Sequence, residues 1–103
     1  MNTIDLMNYL IERKIDELPA SALSEVLDRL IWCFDDNGRE LLKGRELWLS
    51  SNDKFKIEVA LLMDEVFPYE TINEMEDKLH QISKKWPEFS ERCLDLINQR
   101  KQQ

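Results

Sequence analysis

The chain reads as an all-α single domain over residues 1–103, built from five or six short helices packed as antiparallel helical hairpins. Two observations predict this. Breakers are scarce, with only two glycines and three prolines among many Leu, Glu and Lys residues, which favour helix. Apolar residues also recur at steps of three and four along most of the chain, the spacing that lines one helical face, and no segment alternates convincingly as a strand. The joints between periodic segments are short, so neighbouring helices are expected to fold back on one another. A hydrophobic fraction of 43%, with four Phe, three Trp and two Tyr, is enough apolar material for a core and argues against disorder.

The first stripe is Ile4, Met7, Leu10, Ile11 and Ile15, with Thr3 as N-cap and a stop near Glu17, because Leu18 precedes Pro19. Leu23, Val26, Leu27, Leu30, Ile31 and Phe34 form the strongest stripe, capped by Ser21 and ended by Asp35-Asp36-Asn37-Gly38, where Asn-Gly supplies a left-handed residue. Residues 39–49 allow two readings. Leu41, Leu42, Arg45 and Trp48 suit a short helix interrupted by Gly44, and Lys43-Gly44 could instead turn a hairpin. Ser50 to Asp53 breaks the chain and offers N-caps. Phe55, Val59, Leu62, Met63, Val66 and Phe67 follow as a stripe closed by Pro68. Thr71 and Glu74 form a capping box ahead of Ile72, Met75, Leu79, Ile82 and Trp86. Pro87 opens the last helix, with Phe89, Cys93, Leu94, Leu96 and Ile97, and its terminal Arg100 and Lys101 suit the helix dipole.

The same residues exclude several chemistries. The longest uncharged apolar run, Val59 to Met63, is far shorter than the roughly 20 residues a membrane span needs. The N-terminus lacks the basic region of a secretory signal, so a cytoplasmic protein is expected. Cys33 and Cys93 form no C-x-x-C pair and read as reduced core cysteines. His80 is the only histidine, which excludes two-histidine metal sites; no Gly-rich phosphate loop and no acidic EF-hand loop occurs. The chain is therefore expected to be no enzyme and to need no metal or cofactor. Basic residues near the C-terminus (Lys84, Lys85, Arg92, Arg100, Lys101) are offset by Glu88, Glu91 and Asp95, too weak a footprint for nucleic acid.

Charge is what remains. Between Lys56 and Lys78 lie Glu58, Asp64, Glu65, Glu70, Glu74, Glu76 and Asp77 and no base, so this run alone carries −7, the formal net charge of the whole protein. A field so concentrated suits a partner of opposite sign. Within it, Phe67 and Tyr69 flank Pro68, and aromatics beside acids are a common composition for an interface anchor with an electrostatic rim. The candidate binding residues are Asp64, Glu65, Phe67, Tyr69, Glu70, Glu74 and Asp77. Asp35 and Asp36 form a second acidic corner, where acids at a helix C-terminus would oppose the dipole at about 0.3–1 kcal/mol each.

A small, acidic, helical chain of this kind resembles the bacterial immunity proteins, in particular those of contact-dependent growth inhibition systems and, more distantly, the four-helix colicin immunity proteins. Leu23–Asp36, the acidic run from Glu58 to Asp77, and Tyr69 within it carry the likeness, which is one of type over the whole chain. Tyr69 stands without the tyrosine neighbour of the colicin group's paired interface tyrosines. The resemblance implies binding and blocking a cognate nuclease toxin inside the producing cell. Nuclease clefts are basic, and an acidic surface can steer itself onto one. A non-enzymatic adaptor is the competing expectation. It would hold a partner helix on an exposed apolar face that includes Trp48 and Leu49.

Overall fold

The structure, a computed structural model, describes residues 2–103. Six α-helices and no strand occur among them: α1 (Thr3–Glu12), α2 (Ala20–Leu30), α3 (Arg39–Leu49), α4 (Lys54–Leu62), α5 (Ile72–Lys85) and α6 (Ser90–Lys101), with 3-10 turns at Ile31–Cys33 and Pro87–Phe89. No helix among the described residues is long and apolar enough to cross a membrane. The chain divides into two compact units, Met1–Glu65 and Val66–Gln103.

In the first unit α1 packs on α3, α2 on α4, and α3 on α4. Leu27, Ile31, Leu41, Ile57, Val59, Ala60 and Leu61 lose essentially all their solvent exposure. A large apolar side chain buried to this extent contributes about 1.5–3 kcal/mol. Side-chain caps set several helix starts. Asn2, rather than Thr3, accepts the Asp5 N–H at 2.8 Å, and Asp53 accepts from Phe55 and Lys56. Ser21 lies inside α2, whose N-cap is Pro19 in extended conformation.

Two helices end earlier than their apolar stripes. α1 closes at Glu12, because residues 13–19 are used to turn the chain into α2, and Ile15 is left exposed. α2 gives way to the 3-10 turn after Leu30. The tighter turn rotates the following side chains out of register, so Cys33 is exposed rather than in the core, while Cys93 is buried as expected.

Asp35-Asp36-Asn37-Gly38 therefore serves the next helix. Asn37 and Gly38 are both left-handed, and Asp36 accepts from the backbone N–H groups of Gly38 and Glu40 at 2.9 and 3.1 Å. Its carboxylate faces the favourable N-terminal end of α3 instead of opposing the C-terminal end of α2, and those N–H bonds, Glu40's first, lower its pKa. α3 is one continuous helix through Gly44. A Cβ there would stand 2.5 Å from the Met7 sulfur, so glycine lets α1 and α3 approach closely.

α4 stops at Leu62, leaving Val66 and Phe67 outside it, and Met63 turns extended. Arg45, 0% exposed, compensates for the lost turn. Its Nε donates to the Ala60 carbonyl at 2.8 Å and one terminal nitrogen to the Met63 carbonyl at 2.7 Å. A buried guanidinium thus sits at the negative end of α4, where cations are favoured.

In the second unit α5 and α6 pair as a helical hairpin, with the Pro87–Phe89 turn packed against both. Thr71 caps α5 by accepting the Glu74 N–H at 3.1 Å. The facing stripes are Met75, Leu79 and Ile82 from α5 and Cys93, Leu96 and Ile97 from α6.

Candidate functional site

The joint ahead of α5 is shaped by Arg100 of α6. One of its terminal nitrogens donates to the carbonyls of Pro68 at 2.8 Å and Tyr69 at 3.1 Å, and the other to that of Glu70 at 2.9 Å. The guanidinium also lies 5.6 Å from the Phe67 ring centroid. Three successive carbonyls turned toward one cation require a tight backbone, and Tyr69 adopts φ 66°, a left-handed conformation rarely accepted by an aromatic residue. Tyr69 is only 9% exposed and Phe67 is half-buried. Neither aromatic is presented as an open docking anchor, because the grip of Arg100 turns the joint inward. Arg100 itself is not the simple dipole partner its place near a helix end suggested.

The acids of this unit behave differently. Glu70, Glu74 and Asp77 are exposed. Glu74 and Asp77, three apart on α5, lie on neighbouring positions of one face. Asp77 accepts only a long bond from Gln81, at 3.4 Å. Glu76, off that face, pairs with Lys101 at 3.0 Å.

In the first unit, Asp64 and Glu65 follow α4 and are exposed, and their backbone meets Asp28 of α2. The Asp64 N–H donates to Asp28 Oδ2 at 3.1 Å. Asp28 is 7% exposed, and its Oδ1 is buried with no hydrogen-bond partner. Burial raises its carboxyl pKa above the usual carboxylate range; the N–H groups of Asp64 and Glu65 pull it back, and the neighbouring Asp64 carboxylate pushes it up. These residues line an open groove of about 480 Å³, with Trp32, 66% exposed, among its walls.

Among the described residues, none of Asp64, Glu65, Glu70, Glu74 and Asp77 forms an ion pair. Trp48 and Leu49 are buried, and the Trp48 indole N–H donates to Asn8 at 3.0 Å, so the apolar face expected to receive a partner helix is part of the core. His80 is exposed on α5. Burial pushes the Cys93 thiol pKa up, which disfavours the reactive thiolate.

Sequence reasoning missed Asp28 and Trp32. The signal for Asp28 was present, because it falls four residues after Ser24 and three before Ile31, in register with the buried face of α2. Trp32 was hidden by the 3-10 turn. Neither a family model, nor a curated protein, nor a solved structure matches this chain.

Proposed function

We propose that this protein is an inhibitory binding protein of the immunity type, which occupies the basic cleft of a cognate nuclease toxin with an acidic surface. The observation that supports it is the exposed carboxylates without ion-pair partners, Asp64 and Glu65 in the first unit and Glu70, Glu74 and Asp77 in the second, in a chain whose charges outside the run from Glu58 to Asp77 cancel. Carboxylates without ion-pair partners cost the folded chain little and leave most of their field available to an incoming cation. Opposite fields steer encounter and can raise association rates toward about 10⁸ M⁻¹s⁻¹ at low salt. The contacts are electrostatic first, with Phe67 and Tyr69 shaping the joint that presents Glu70.

The test is binding to a basic nuclease domain followed by stopped flow. Association slows steeply as salt is raised and the Debye length falls from about 10 Å to about 3 Å. Reversal of both Glu70 and Glu74 to Lys leaves the helical circular dichroism intact and weakens binding by more than about 1 kcal/mol. Binding unmoved by that double reversal would mean that this face is only solvated surface.

A further inference from the structure

The groove beside α2 holds an unexplained group. Asp28 is more than nine-tenths buried, yet one of its two carboxylate oxygens has no partner. Buried polar atoms are almost always hydrogen-bonded, because leaving one unmet forfeits its hydration for nothing. Asp28 lines the groove together with Glu25, Trp32, Asp64 and Glu65. The one base of the groove, Arg29, is drawn to Glu25 at 3.6 Å on the exposed side. The walls thus combine an acid excess and an indole with most of its surface in solvent, over a buried carboxylate oxygen that has no donor.

We propose that this groove is a receptor for an arginine side chain of the partner protein. The proposal rests on the reading that the partner is basic, and it names the group that partner inserts. A guanidinium matches each wall: its planar fork supplies several donors, enough for Asp28 Oδ1 and the Asp64 carboxylate together, and its face stacks on an indole. A lysine ammonium is a compact point charge and lacks the flat fork and stacking face, so the groove discriminates between the two cations. The unmet oxygen of Asp28 is then a cost carried by the free chain and removed on binding.

The experiment uses the full chain and two short probes, acetyl-Gly-Arg-Gly-amide and its lysine counterpart, followed by amide and indole NMR shifts. The arginine peptide is expected to move the Trp32 indole and the amides of Asp28, Asp64 and Glu65 saturably, and to bind several-fold more tightly than the lysine peptide. Asp28→Asn and Trp32→Ala, each checked for intact circular dichroism, weaken it by about tenfold or more, the scale of one lost charge-assisted contact. Equal, non-saturating shifts with both peptides, or no effect of Asp28→Asn, would overturn the receptor while leaving the acidic-surface function untouched. Saturable arginine binding alongside nuclease binding indifferent to Glu70 and Glu74 would instead support the receptor and sink the function proposed above.

Discussion

Each unit of this protein contains an arginine that does the work of missing backbone donors, and the two differ in setting. Arg45 lies wholly inside the first unit and holds the carbonyls released where α4 stops, at Ala60 and Met63. Arg100 lies half-buried at the end of α6 and holds carbonyls of a joint that never was helical, at Pro68, Tyr69 and Glu70. The first replaces a helical turn in the core; the second imposes a shape on a surface loop. Removing a guanidinium should therefore cost global stability in one place and local order in the other.

The largest effect is expected at Arg45. Arg45→Met keeps much of the volume but strands two buried carbonyls, each worth about 1–3 kcal/mol, so the loss should reach about 3–5 kcal/mol in urea unfolding. Arg100→Lys should cost less, about 1–2 kcal/mol, because one ammonium cannot span three carbonyls and water reaches this site. Its distinguishing mark is faster hydrogen exchange confined to the segment around Tyr69, with the amides of the first unit unmoved. Equal global losses at the two arginines would erase the distinction.

The smallest effect concerns a buried acid set against these buried bases. The folded pKa of Asp28 is raised, so the protonated form is favoured on folding. Its contribution to stability is complete below the unfolded carboxylate pKa and is lost as pH rises through the raised folded value. Asp28→Asn should match the parent near pH 3 and melt a few degrees higher at pH 7, by calorimetry, with Glu25, Arg29, Asp64 and Glu65 as the neighbouring charges. A parent that outmelts the variant at neutral pH would mean that the ionised carboxylate is internally compensated.

The helical class was plain from spacing, since Leu23, Leu27 and Ile31, or Met75, Leu79 and Ile82, meet the helical period without ambiguity. Boundaries were less visible because the stripes of α1 and α4 run on past the points where turns and Arg45 end the helices. The acidic residues of the candidate surface were legible as a charge run, and their exposure followed. The aromatics were not, since the inward turn at Tyr69 depends on Arg100, distant in sequence. Yet Arg45 falls four after Leu41 and three before Trp48, and Arg100 falls three after Ile97. Charged residues in step with an apolar stripe were the readable sign of buried polar work, and Asp28 obeys the same pattern.

The 3-10 turn that follows α2 has a practical consequence. It sets Cys33 in solvent next to Trp32, while Cys93 stays enclosed with its proton held. Maleimide chemistry on the unmodified sequence would consequently attach one fluorophore, one residue along the chain from Trp32 of the proposed arginine receptor. Occupancy there could be followed by a change in emission without engineering the chain at all.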